Sequence, residues 1–148
     1  METSYYISIA IKKFLVEKGM KSYTLASLSG CNKTAVGNWL YQRQMPSAKG
    51  LMRLADFMNV SVDYMLGLKA DKRIIRSGTT EKFSKRVKLL LGDDVTSYRL
   101  AKECKIGSSA VSKWQSGDRL PQIEVLIELS SLFGVTVDWL LGRTNIPN

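Results

Sequence analysis

The feature that most constrains the fold of this chain is an internal repeat. When the sequence is laid over itself at a shift of 75 residues, residues 22–67 align with residues 97–142 without a gap. Identical positions include Tyr23 with Tyr98, Trp39 with Trp114 and Pro46 with Pro121. Because a repeated sequence encodes a repeated structure, the chain is expected to hold two copies of one module. The copies occupy residues 1–69 and 79–148, and a charged linker, 70–78, joins them.

Within each copy, the apolar residues follow a helical period. Near the start, the spacing i, i+4, i+7 and i+8 is occupied by Ile7, Ile11, Phe14 and Leu15. At a shift of 76 the same pattern returns as Phe83, Val87, Leu90 and Leu91. The extra residue predicts a length difference in the first loop, and no alternating pattern competes. The sequence therefore predicts an all-α fold.

Local signals divide each copy into five short helices. Gly19 and Gly92 are expected to end the first helix, while Pro46 and Pro121 precede the fourth, which Asn59 and Gly134 end. Ser61 and Thr136 are expected to cap the fifth helix. Between these signals, two helices with a tight turn are predicted at 22–29 and 32–41, and again at 97–104 and 108–116. This is helix-turn-helix geometry.

The second helix of each pair has an apolar face and a polar face. Val36 and Trp39, like Val111 and Trp114, are expected to point inward. The opposite face carries small polar side chains, which suit a helix that lies in the major groove of DNA. Arg43 and Arg119 follow these helices and are predicted to bind phosphates.

Composition narrows the range of functions. The chain has 22 Lys and Arg against 13 Asp and Glu, a net charge of +9 that favours polyanions. Cys31 and Cys104, without any histidine, are too few for a zinc site and are expected to be reduced and buried. No metal ion or other cofactor is predicted. Catalysis is the weakest hypothesis, because the usual base for a Ser or Cys nucleophile and a Walker-type loop are both missing.

These residues resemble the Cro and lambda-repressor-like helix-turn-helix domains, also called the Xre family. The second copy is the more similar, through Leu100, Ala101, Ile106, Ser109, residues 111–114, Gly117, Pro121 and residues 134–141. The first copy retains Leu25, Ala26, Gly30, Val36, Trp39, Pro46 and residues 60–63. It departs from the family pattern at Gln42, where the family prefers Gly, and at Leu40, where it prefers Glu.

The resemblance implies two lambda-repressor-like five-helix domains in tandem and assigns roles to particular residues. Bases would be contacted from the third helix of each domain by Lys33, Thr34, Asn38, Ser108, Ser109 and Lys113. Ser22 and Ser97, at the start of the second helix, would contact a phosphate or a base.

The predicted function is a sequence-specific regulator of transcription, a repressor by resemblance, that binds double-stranded DNA. The alternative is a protein-interaction adaptor, in which the first domain mediates dimerisation or partner binding and the other domain binds DNA. One chain could read two half-sites, and a homodimer is the rival assembly. The apolar stretch at residues 5–11 is too short to span a membrane, so a cytoplasmic location is expected.

The fourth helices suggest a further contact. Lys49 and Arg53 in the first copy stand where the second copy has Glu124 and Glu128. This charge inversion predicts that the fourth helices mediate contact between modules.

Overall fold

The protein is described by a computed structural model that covers residues 2–76, 80–92, 95–117 and 119–148, with only the backbone of Ser108. These residues form ten helices and no strand. The chain divides into two compact units, Met1–Ile74 and Ile75–Asn148. The predicted all-helical fold with two domains in tandem is confirmed.

Each unit contains five of the helices. The first unit has α1 (Glu2–Lys18), α2 (Ser22–Ser29), α3 (Lys33–Leu40), α4 (Ala48–Met58) and α5 (Val62–Met65). The second has α6 (Phe83–Leu90), α7 (Ser97–Glu103), α8 (Ser108–Ser116), α9 (Ile123–Phe133) and α10 (Val137–Leu140). The predicted helix pairs are α2 with α3 and α7 with α8, and their bounds agree with the sequence prediction to within one residue at each end.

The core of each unit is built from the apolar positions of the helical pattern. Ile7 and Ile11 of α1 are completely enclosed, as is Val87 of α6. Val36, Trp39, Val111 and Trp114 are buried as predicted, and the ring of Trp114 meets that of Phe83 edge to face at 5.8 Å. Burial of one such aliphatic side chain contributes about 1.5–3 kcal/mol, so these contacts hold α3 and α8 firmly against their units.

The fifth helices begin at the predicted caps. The hydroxyl of Ser61 accepts a hydrogen bond from the backbone N–H of Tyr64 at 2.9 Å. The hydroxyl of Thr136 accepts the equivalent bond from Trp139 at 3.0 Å. Each cap satisfies a helical N–H that would otherwise lack a partner inside the helix.

Beyond the fifth helix, each chain segment turns back onto the cap residue. The backbone N–H of Ser61 donates to the carbonyl of Lys72 at 2.8 Å, and that of Thr136 donates to the carbonyl of Pro147 at 2.8 Å. Lys72 and Pro147 are equivalent in the repeat. The Nζ of Lys72 also lies 3.8 Å from the Oε2 of Glu17 in α1. The repeated structure therefore continues past residues 67 and 142, and residue 72, which the sequence places in the linker, packs against the first unit.

Two buried arginines stabilise the end of the second unit. Arg86 of α6 donates to the carbonyls of Trp139 and Thr144, the latter at 2.6 Å, and to the side chain of Asn145 at 2.8 Å. Burial lowers the pKa of Arg86, and its guanidinium lies 4.6 Å from the centre of the Trp139 ring. Arg143 forms a buried ion pair with Asp138. The first unit has Ala10 and Leu68 at the equivalent positions. The segment after its fifth helix is therefore held without these arginine contacts.

The prediction that both cysteines are buried is wrong, because both are only partly buried. Cys31 follows the last residue of the α2 cap and Cys104 is itself the C-cap of α7, so each lies where its helix reaches the surface. Both are free thiols. Burial raises the pKa of Cys104, and the negative charge of Glu128 raises it further.

Candidate nucleic-acid interface

The polar face of each third helix is open to solvent. On α3, Lys33 and Thr34 are exposed and Asn38 is half-buried. On α8, Ser109 and Lys113 are exposed, whereas the side chain of Ser108 lies outside the described residues. The structure thus places the predicted base-contacting residues of each helix on one accessible face, opposite the buried Val and Trp positions.

The start of α3 is held by a side-chain cap. Asn32 accepts hydrogen bonds through its Oδ1 from the backbone N–H groups of Thr34 and Ala35, at 2.9 and 3.2 Å. This cap fixes the first turn, from which Lys33 and Thr34 project. In the second unit the equivalent residue is Gly107, which has the same extended backbone conformation and no side-chain cap. The two helices therefore begin after the same extended conformation, but only α3 has a side-chain cap.

Asn38 has a partner that the sequence analysis missed. Its Nδ2 donates to Oε1 of Gln44, in the loop after α3, at 3.2 Å. The repeat places Lys113 and Arg119 at these two positions, and both are exposed. The same site is therefore a hydrogen-bonded amide pair in the first unit and two cations in the second. The shift of 75 residues, which aligns Gln44 with Arg119, was the signal that could have found Gln44.

Arg43 is exposed and lies over an aromatic ring. Its guanidinium carbon is 5.1 Å from the centre of the Tyr41 ring, at the end of α3. The residue that aligns with Arg43 is Asp118, which is outside the described residues. The two predicted phosphate-binding arginines, Arg43 and Arg119, therefore occupy adjacent positions of the repeat and are not equivalent.

The starts of the second helices are less accessible than the third-helix faces. Ser22 and Ser97 are the first residues of α2 and α7, and both are half-buried. The hydroxyl of Ser97 accepts a hydrogen bond from Nε2 of Gln115, near the end of α8, at 3.2 Å. Gln115 is a second residue that the sequence analysis missed. The bond joins the two helices of the motif at the surface predicted to meet DNA.

Shortly after the third helix, one residue in each unit has a positive φ, at aligned positions of the repeat. Gln42 has φ +58° and the aligned Gly117 has φ +85°, both in the left-handed region. A glycine enters this region at little cost, whereas a glutamine is strained there. The departure from the family pattern at Gln42 therefore leaves the turn in place and adds strain to it.

Other kinds of site were also sought in the part of the chain that the structure describes. No group of three or more His, Cys, Asp or Glu side chains is placed there to hold a metal ion. None of the helices described has both the length and the apolar character needed to cross a membrane.

Comparison with known proteins agrees with this geometry. The helix-turn-helix family HTH_3 matches the chain twice, over residues 11–65 and 94–140. The HTH-type transcriptional activator BcrR of Enterococcus faecalis is 39% identical over 54 residues, which are 36% of this chain and 26% of that protein. The chain thus spans about a quarter of that relative's length. No solved structure gives a significant match. The chain belongs to the HTH_3 family, the DNA-binding helix-turn-helix domains of the Xre type, and carries two copies in tandem.

Proposed function

We propose that this chain is a transcriptional repressor that binds specific double-stranded DNA sequences with α3 and α8 in the major groove. The observation that carries the proposal is the repeated recognition surface. In each unit, a buried Trp and Val fix the third helix, and its exposed face carries short polar side chains and lysine. Such a face brings the helix backbone close to the base edges.

The two units would read different bases. An asparagine side chain pairs best with adenine, and a lysine with guanine. Asn38 is oriented by Gln44, so its amide is already held when the helix meets DNA. Lys113 occupies the same repeat position in the second unit and is exposed. Lys33, Thr34, Ser108 and Ser109 are proposed to add contacts from the first turns. One chain would therefore recognise an asymmetric pair of half-sites.

Contacts with phosphates would position the units. Arg43 and Arg119 are both exposed in the loops after the third helices. The Tyr41 ring restricts Arg43, which lowers the entropy that the side chain loses on binding. Ser22 and Ser97 lie in the first turns of α2 and α7, and are proposed to donate to phosphate oxygens.

Repression requires only that the bound units cover DNA that the polymerase needs. The relative BcrR is named as an activator, so the direction of regulation needs its own test. In a reporter with the selected site placed over the promoter, the chain is expected to lower expression. Increased expression from a site placed upstream of the promoter would show activation instead.

The adaptor function is favoured by one observation. In the first unit, Asn38 and Gln44 bond to each other and Arg43 lies on Tyr41, so these groups already have partners. Under this alternative, the first unit binds a protein and only the second binds DNA. The two functions differ in whether α3 contributes to affinity for DNA.

Selection of bound sequences from a random DNA pool tests the proposal directly. Asn38→Ala and Lys113→Ala should each relax base preference at one position, by about 1–3 kcal/mol. Arg119→Ala should weaken binding to all sequences alike. Lys88→Ala, which removes an exposed lysine of α6, is the matched control. If Asn38→Ala changes neither affinity nor preference while Lys113→Ala abolishes both, the adaptor function replaces the proposal.

A further inference from the structure

The fourth helices carry exposed surfaces of opposite charge. A basic ridge runs along α4 and consists of Lys49, Arg53 and Phe57. An acidic ridge runs along α9 at the same repeat positions and consists of Glu124, Glu128 and Leu132. Residues four apart lie on one face of a helix, so each ridge is a continuous line of two charges followed by one apolar side chain.

The charged side chains of both ridges are exposed, whereas the ring of Phe57 also meets the ring of Phe14 in α1 edge to face, with the ring centres 6.1 Å apart. The inward face of α4 is formed by Leu51, Leu54, Ala55 and Met58, which are buried, and that of α9 by Leu126 and Leu129. All six ridge residues are exposed. Phe57 is 37% exposed and Leu132 is 43% exposed, although each is apolar. Phe57 is partly covered within its own unit, yet an apolar side chain remains exposed at the same position of both copies.

We propose that the ridges form an interface between two copies of this chain. The basic ridge of one chain packs against the acidic ridge of the other. Because each chain carries both ridges, a two-fold symmetric dimer would form this contact twice. Repulsion disfavours the pairing of two basic ridges or of two acidic ridges, so the charges select the partner surface.

A parallel alignment of the two helices matches all three positions. Lys49 then faces Glu124, Arg53 faces Glu128, and Phe57 faces Leu132. Exposed ion pairs contribute little on their own, so the apolar pair supplies the attraction and the ion pairs select the orientation. The result is a weak dimer that dissociates as salt rises, because exposed pairs are screened. The dimer forms without DNA, so this inference is independent of the proposed function.

Charge reversal in two separate variants tests the interface. The first variant carries Lys49→Glu and Arg53→Glu, and the second carries Glu124→Lys and Glu128→Lys. In the first, every ridge is acidic; in the second, every ridge is basic. In sedimentation equilibrium, the dissociation constant of the dimer should be about tenfold higher for each variant alone than for the original chain. An equimolar mixture should recover the dimer, because an acidic ridge then always meets a basic one.

The mixture separates contact between chains from contact within one chain, since mixing cannot repair an intramolecular contact. Lys12→Glu with Lys13→Glu is the matched control, because it makes the same change of charge on the exposed side of α1 and should leave the dimer unchanged. Leu132→Ser should weaken the dimer without altering any charge.

Three outcomes would overturn the proposal. The first is an original chain that stays monomeric up to about 100 µM in low salt, where a weak dimer should form. The second is a dimer that survives both reversals. The third is a Lys49→Glu and Arg53→Glu variant that loses DNA affinity while its molecular mass in solution stays that of the original chain. Mixing it with the second variant would then not restore DNA affinity. That last result would assign the basic ridge to phosphate binding.

Discussion

At the scale of single residues, the two units place different residue types at a position with a positive φ. The loop after the third helix needs a left-handed residue, which is Gln42 in the first unit and Gly117 in the second. A left-handed conformation costs an L-residue with a Cβ about 1–2 kcal/mol, and part of this is offset because glycine loses more entropy on folding. The first unit therefore carries local strain that the second avoids.

Replacing Gln42 with Gly should relieve this strain. We expect Gln42→Gly to raise the free energy of unfolding of the first unit by about 0.5–1 kcal/mol. Urea unfolding followed by circular dichroism measures the change. Gln42→Ala is the control, because it removes the same side chain but keeps the Cβ, and it should give no gain. Equal stabilisation by both variants would mean that the side chain, and not the backbone, is the source of strain.

The buried ion pair of the second unit should be sensitive to loss of one partner. Arg143→Leu leaves Asp138 buried without its cation, which is expected to cost about 3–5 kcal/mol of stability. Thermal unfolding compares this variant with Arg73→Ala, which breaks the exposed pair with Asp71. The exposed pair should contribute nothing measurable, since solvent screens it. Similar melting temperatures for the two variants would contradict a structural role for Arg143.

At the scale of helices, the units differ in how their helices begin. In the first unit, Asn32 caps α3 and Ser47 caps α4, through its hydroxyl at 3.0 Å from the N–H of Gly50. In the second unit, α8 and α9 follow Gly107 and Gln122 without a side-chain cap bond. In the second unit, buried arginines tie α6 and the segment after α10 together.

Removing the cap of α3 should therefore weaken the first unit. Asn32→Ala is expected to lower its stability by about 1 kcal/mol, because two N–H groups lose their acceptor. Hydrogen exchange of the amides of Thr34 and Ala35 measures the effect locally. Asn32→Ser keeps an acceptor and should preserve most of the protection. Unchanged exchange in Asn32→Ala would show that tertiary packing alone holds the first turn.

At the scale of the whole molecule, the net positive charge and the two repeated units should together make DNA binding depend strongly on salt. The chain carries a net charge of +9 and two helix-turn-helix units, so it should displace many counterions from DNA. With about six to ten phosphate contacts, affinity should fall about a thousandfold or more between roughly 50 and 200 mM salt. Fluorescence anisotropy measures the slope. A slope near zero would contradict the proposed phosphate contacts.

Periodicity and repetition by themselves determined the helices of this protein. The apolar spacing of Ile7 and Ile11, the prolines before the fourth helices and the caps Ser61 and Thr136 are local signals, and the helices formed where they predicted. The exposed faces of α3 and α8 follow from the same spacing, because a helix places every residue at a known angle.

Tertiary structure decided which polar groups meet across loops and between helices. The bond from Asn38 to Gln44, the bond from Gln115 to Ser97 and the return of Lys72 to Ser61 depend on how loops close over the packed helices. Partial exposure of the cysteines had the same origin. No periodic pattern encodes such contacts, since each depends on the distance between segments that only the folded core brings together.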